Sequence, residues 1–374
     1  MRLAHTRGRG PAAPQRRAFR TPAALTAAVL LAGLTGLGTA QADTAAPTGV
    51  PTGVTNLTTG LTVPWGVGWT PDNSHALVTE RDDFRVWKVT PTGQKTQVGT
   101  VPNTVTTGGE GGLMGVAVDP DWATTQHVYV MHTAAEGNRI ARMTYNGTTL
   151  TNYTVILQGI AKAHYHNGGR LAFGPDGYLY ATTGDAQNTA LAQDRNSLNG
   201  KILRMTKAGQ PAPGNPFGNL VYSLGHRNPQ GIAFDRNGRL WEAEFGDTRF
   251  DELNLIKPGA NYGWPTCEGT CSVAGMTNPK KTWTTGEASP SGIAIADNVV
   301  YMAALRGQRL WHIPITGDTE NVGTATAYYV GTYGRLRTLA KTPGQEELWL
   351  TTTNADANGG QPEGSDRVLK VTLG

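Results

Sequence analysis

The run HNGGRL, residues 166–171, holds the group best suited to proton chemistry in this chain. His166 is a side chain that takes up or releases a proton near neutral pH, and Gly168 and Gly169 let a backbone turn sharply or approach something closely. A general base beside a ligand is one use of such a run, and a solvated turn is the other. Arg227, Arg306, Arg335 and Arg337 add planar, permanently charged donors suited to several carboxylates held at fixed angles. Chemistry of this kind needs a frame that brings distant positions together.

The frame is legible as a repeat. A small or polar lead-in, a short apolar strand, a Pro-Asp or Asp-x-Asn-Gly turn and a second apolar strand recur six times, starting at Pro64, Leu113, Gly168, Asn228, Ser289 and Gly334. Each phrase reads as a β-hairpin, and the 45 to 61 residues from one start to the next leave room for two more strands. Long amphipathic helical patterns are absent after the first 42 residues, and Gly reaches 49. These features predict an all-β fold, a six-bladed β-propeller of four-stranded antiparallel blades, with DRVLKVTL sharing a blade with the early strand in GVTNLTTGL. In a propeller the residues leading into each innermost strand converge on one mouth, which gathers Glu110, His166, Arg227, Asn228, Arg335 and Arg337.

Residues 1–42 read as an export signal: six arginines, an apolar AALTAAVLLAGLTGLG and an AQA cleavage site ending at Ala42, with RRAF leaving both the twin-arginine and the general secretory routes open. That places the propeller domain at 43–374, outside the cytoplasm. The signal holds six of the 32 Lys and Arg and none of the 28 Asp and Glu, so its removal takes the formal charge from +4 to −2 and withdraws support for nucleic-acid binding. No second apolar run approaches the roughly 18 residues of a membrane span. In an oxidising compartment Cys267 and Cys271, in PTCEGTCS, pair as a local disulfide; no neighbouring His completes a zinc spacing.

HNGGRLAFGPDG, YSLGHRNPQGIAFD, FDELNLIKPGANYGWP, SPSGIA, ALRGQRL and GRLR, in that order, resemble the soluble quinoprotein glucose dehydrogenase and aldose sugar dehydrogenase family, the glucose/sorbosone dehydrogenases, from about Pro64 to the C-terminus. The resemblance implies a propeller that binds pyrroloquinoline quinone (PQQ) and calcium at the channel mouth and oxidises the C1 hydroxyl of aldoses to lactones. It implies His166 as catalytic base, Arg227 and Asn228 at the quinone oxygens, and Arg227 stabilising charge as hydride moves to the quinone. Gly168 and Gly169 would keep bulk away from the cofactor plane. Glu110, Arg306, Arg335 and Arg337 would complete the cofactor pocket, with Trp283 either stacked on the quinone face or packed between blades. Backbone carbonyls of Gly246 and Asp247 would hold the cofactor's Ca2+, and Asp251, Glu252 and the Tyr262 carbonyl a structural Ca2+.

The chain departs from the family pattern at three places. Glu110 stands where many members have Gln, setting a carboxylate against an anionic cofactor unless it is protonated or turned toward an arginine. Arg306 replaces a Lys, and Tyr165 an Asp. No CxxCH haem site occurs, so electrons must leave to a separate acceptor such as a cytochrome, copper protein, quinone or dye. The assembly is expected to be a monomer or homodimer. Two other functions share this fold: a calcium-dependent sugar lactonase, which needs carboxylate and Asn ligands in the channel, and a non-catalytic binding propeller, which would lack the His or the HRN pair.

Overall fold

A computed structural model describes residues 49–317 and 319–374; the export segment at 1–42 lies outside them. Six four-stranded antiparallel sheets are present. Their innermost strands are Pro64–Trp69, Leu113–Val118, Leu171–Phe173, Pro229–Phe234, Pro290–Ala296 and Leu336–Lys341. Each begins within one of the six repeated phrases, and the second half of the phrase forms the next strand outward. The ring closes as expected: Pro51–Leu61 pairs antiparallel with Asp366–Leu373 as the outer strand of the last blade. Joining the two ends of the chain in one blade makes closure part of the sheet's own hydrogen bonding. Among the described residues the only helices are two four-residue turns, Trp122–Thr125 and Ala190–Gln193.

Second strands such as Ala76–Glu80, Leu240–Glu244 and Val299–Ala304 are buried at every position, because a neighbouring blade covers each face. The core is therefore a ring of interblade layers. One holds Trp65, Met114, Ile140, Leu171 and Leu203; another Trp241, Trp283, Trp311 and Met302. Glycine is required where the innermost strands press together. A Cβ on Gly115 would stand 2.2 Å from the Gly169 carbonyl oxygen, and one on Gly231 would stand 2.2 Å from that of Ser291.

Arg170 departs from this close approach and fills the axis. It is buried; its Nε donates to Gln230 O at 2.8 Å, Nη1 to Trp65 O at 3.3 Å and Nη2 to Thr338 Oγ1 at 3.0 Å, with the guanidinium carbon 4.2 Å from the Trp65 ring centroid. One side chain thus joins four blades. Burial, with Arg337 nearby, pushes its pKa down to about 9, so it stays charged at neutral pH. Arg170→Ala is expected to cost roughly 3 kcal/mol, read from the urea midpoint, because the Gln230 carbonyl loses the guanidinium donor, Trp65 O keeps only the Thr338 hydroxyl, and a cavity opens.

Candidate active site

At one end of the ring, the lead-ins to the innermost strands meet the loops that follow the second strands. Between them lies a cavity of about 550 Å³ whose wall includes Arg81, Glu110, Tyr165, Arg306, Arg335, Arg337 and Asp356. Its size is ordinary for a small-molecule site. The arginines do not occupy one repeated position, as the blade pattern had suggested. Arg335 precedes its strand, Arg337 lies within it, and Arg306 follows the strand Val299–Ala304.

Four guanidinium groups share this wall with two carboxylates. Arg81 is paired with Asp82 at 2.7 Å and Arg335 with Asp356 at 3.1 Å. Burial alone would raise the Asp356 carboxyl, but Arg337 and Arg335 outweigh it and hold it below its ordinary value. Arg337 is left short of partners. Its closest carboxylate contact is Asp356 at 3.7 Å, its Nε is buried with no acceptor, and burial with Arg81 beside it pushes its pKa down to about 10. An anion entering this cavity would relieve a cost already present in the fold.

His166 adjoins the cavity beside Tyr165. Its backbone is left-handed, at φ 62°, a conformation that lets its N–H reach Glu110 Oε2 at 2.9 Å while its carbonyl accepts from Ala186. Imidazole Nδ1 lies 2.8 Å from Oδ1 of the fully buried Asp185. That oxygen also accepts from Gln187 N, and Oδ2 accepts the indole N–H of Trp264 at 2.8 Å. A carboxylate so held fixes the proton on Nδ1 and leaves Nε2 as the acceptor, the state a general base requires.

Glu110 lies in the wall without pairing directly to an arginine. Oε2 accepts from both His166 N and Asn228 Nδ2, the latter at 3.0 Å, while Arg81 and Arg337 feel its charge. Asn228 Oδ1 in turn accepts Gly168 N. Arg227 places Nη2 2.7 Å from Asp247 Oδ1 and its guanidinium carbon 5.3 Å from the Trp264 ring centroid, and its Nε is buried without a partner. Behind it the carboxylate of Glu244 accepts the N–H groups of Arg227 and Asn228, with His226 Nδ1 at 2.9 Å. His166, Arg227, Asn228 and Glu110 therefore form one bonded group on the rim.

Several expectations are corrected. Gly168 and Gly169 do not clear space for a cofactor. A Cβ on the first would lie 2.8 Å from Thr182 O, and one on the second 2.7 Å from Met114 Sδ, so both glycines serve packing within the ring. Trp283 is core: it is buried in the layer with Trp241 and Trp311, 5.6 Å from the latter ring, and is not among the cavity-lining residues. Asp251 and Glu252 do not share an ion through their side chains, because adjacent strand residues face opposite ways. Asp251 accepts Gly246 N and Ser289 N, and burial pushes it up to about 6.

Glu252 faces the other layer with Glu244 opposite it and Asn254 opposite Glu242. Burial pushes Glu252 up to about 7 and Glu242 well above its ordinary value, with Glu244 adding to both. Glu242 Oε1 and Asn254 Oδ1 are buried without donors, and ligand atoms of His226, Glu242 and Glu244 lie within 4.8 Å of one another. The Tyr262 ring stacks on His226 at 4.9 Å. Glu242, Glu244, His226, Arg81, Asp185, Trp264 and Asp356 were not singled out from the sequence. A signal existed, since three of the repeated phrases end on ERD, TGD and FGD, which deliver Arg81, Asp185 and Asp247 to the mouth.

The Glucose / Sorbosone dehydrogenase family profile matches residues 61–360. The chain is 33% identical over 297 residues to quinoprotein glucose dehydrogenase B of Acinetobacter calcoaceticus, a match covering 70% of this chain and 60% of that one. It is similar to the solved PQQ-bound form of an aldose sugar dehydrogenase from Streptomyces coelicolor, at 48% identity and a TM-score of 0.82, covering 87% of this chain and 100% of that one. It is also similar to a Thermus thermophilus protein described as a putative oxidoreductase (glucose dehydrogenase), at 39% identity and a TM-score of 0.79, covering 85% and 99%. With its rim histidine and arginine-rich cavity on a six-bladed ring, the chain belongs to the glucose/sorbosone dehydrogenase family of oxidoreductases.

Proposed function

We propose that the protein oxidises the C1 hydroxyl of an aldose to the lactone, with PQQ as resident oxidant and a separate protein, quinone or dye taking the electrons. The observation that carries this reading is an arginine-walled cavity with an orphaned Arg337 Nε, next to a histidine whose Nδ1 is engaged by a buried carboxylate. Arg81, Arg306, Arg335 and Arg337 suit the three carboxylates of such a cofactor. Bound there, PQQ would supply a two-electron acceptor for the hydrogen on the sugar's C1.

The chain's own residues do the rest. His166 Nε2 takes the proton of the C1 hydroxyl, and the Asp185 carboxylate stabilises the imidazolium that forms. Trp264 keeps Asp185 in place through Oδ2 and gives Arg227 a flat surface, so base and guanidinium are set by one indole. Asp247 fixes the far end of the Arg227 fork. A lactonase would need oxygen ligands for a metal in the channel, whereas arginines dominate this wall and Arg170 fills the axis.

Calcium is part of the proposal. Main-chain carbonyls of Gly246 and Asp247 would hold an ion beside the cofactor. Glu252, with Glu242, Glu244 and the Tyr262 carbonyl, would hold a structural one, which fits the two donorless oxygens in that layer. Export with cleavage after Ala42 is likewise proposed, supported by the Cys267–Cys271 bond. Among the described residues no helix is long and apolar enough to cross a membrane.

The test is reconstitution. PQQ and calcium added to purified protein should give a bound-quinone absorbance that aldoses bleach, while tight binding that no aldose in a panel reduces would overturn the reading. Chelation of the purified protein is expected to lower Tm by about 5 °C, with calcium restoring it.

A further inference from the structure

Between Cys267 and Cys271, which are joined by a disulfide, lies a side chain with an unusual number of donors on one atom. Glu268 Oε1 accepts four consecutive backbone N–H groups, from Asp247 at 2.7 Å, Thr248 at 2.9 Å, Arg249 at 2.8 Å and Phe250 at 3.0 Å. Successive N–H groups pointing into one concavity form an anion nest, and here the occupant is the chain's own carboxylate. Burial works against its charge, but the four donors outweigh it and hold Glu268 below the ordinary carboxylate value.

Asp247, Thr248 and Arg249 are exposed, so little packing shapes this turn apart from Glu268. Its shape bears directly on the rim. Asp247 holds Arg227 at 2.7 Å, and a side chain on Gly246 would collide with Phe250 O, so the turn must close tightly on itself. The clamp is itself tied down. Cys267 N donates to Gly263 O at 2.9 Å, Cys271 N to Asn278 Oδ1 at 2.9 Å, and Gly269 N to Glu252 Oε1 at 2.7 Å.

We infer that Glu268 is a positioning residue: clamped by the Cys267–Cys271 bond, its carboxylate sets the 247–250 turn and, through Asp247, the guanidinium of Arg227. The chain of contacts runs from the disulfide to Glu268, to four amides, to Asp247 and to the rim. Its functional half rests on the role proposed above for Arg227. Its structural half does not, and can be read without cofactor or sugar.

The experiment uses the full-length purified protein, wild type, Glu268→Ala, Glu268→Gln and the Cys267→Ser/Cys271→Ser pair. Two readouts are taken: amide hydrogen exchange in the cofactor-free protein, and kcat against KM after loading with PQQ and calcium. Glu268→Ala is expected to speed exchange at residues 247–250 by about 10-fold or more while the innermost strands keep their protection. PQQ and calcium are held at saturation, since the turn also carries the Asp247 carbonyl proposed for the cofactor's ion. Under that condition Glu268→Ala is expected to lower kcat about 10-fold with the sugar KM within about twofold of wild type, the base and the arginines of the cavity wall being unaltered. Glu268→Gln, which keeps an acceptor oxygen, should recover most of the protection and part of kcat, and the Cys-to-Ser pair should fall between Ala and wild type. Unchanged exchange at 247–250 in Glu268→Ala overturns the inference, as does lost protection with wild-type kcat, or loosening spread over the whole ring. Should wild-type protein bind PQQ yet oxidise no aldose, the proposed activity falls while the exchange pattern still decides the clamp.

Discussion

Replacing His166 with Asn is expected to lower kcat for aldose oxidation by about 10³-fold while PQQ affinity stays within a few-fold of wild type. Asn is the informative choice because residue 166 sits at φ 62°, a left-handed backbone that Asn tolerates better than Ala or Leu. The amide can still meet Asp185, so the loop keeps its shape and the backbone N–H keeps Glu110. What is lost is an atom able to accept a proton and carry it as a cation. Stopped-flow bleaching of the loaded protein by excess sugar measures this directly, and an undiminished rate would remove His166 from the reaction.

Arg335→Ala is expected to act on the other parameter, weakening PQQ binding by about 30- to 1,000-fold, or roughly 2–4 kcal/mol, with a smaller change in the rate of the loaded fraction. Two losses add. The guanidinium is removed, and Asp356, now relieved of its 3.1 Å partner, turns its charge toward an anionic ligand. Arg335→Lys should lie between, keeping the charge but losing the planar fork. Equilibrium titration of quinone fluorescence or absorbance reads the affinity, and equal binding by wild type and Arg335→Ala would place the cofactor elsewhere.

The blade count was legible because alternation and turn chemistry mark each hairpin locally; the closing strand was legible because DRVLKVTL pairs on one side with the strand before it and leaves its other edge for GVTNLTTGL. The rim was legible only in part: Glu110, His166, Arg227, Asn228 and Arg335 stand in lead-ins to innermost strands, whereas Arg81 and Arg306 follow second strands and Arg337 lies within a strand. Side-chain contacts between separate loops were not legible. Trp264 reaches Asp185 from 79 residues away, and Glu268 meets the 247–250 turn from within the loop that the Cys267–Cys271 bond closes. Spacing carries no trace of either. The opposed faces of Asp251 and Glu252 were within reach, because a strand over DELNL forces alternation. The glycines of HNGGRL show the converse error. A residue without a side chain signals close approach but not what approaches: here it is the next strand of the same blade at Gly168, and Met114 and Trp65 of other blades at Gly169.

With the Arg170 guanidinium laid across the axis, the ring has a floor rather than a through-passage. In the proposed reaction, sugar, lactone and electron acceptor then share one doorway and must use it by turns. Half-reactions in alternation, each reactant obstructing the other when abundant, are the kinetic habit such a blind vessel imposes.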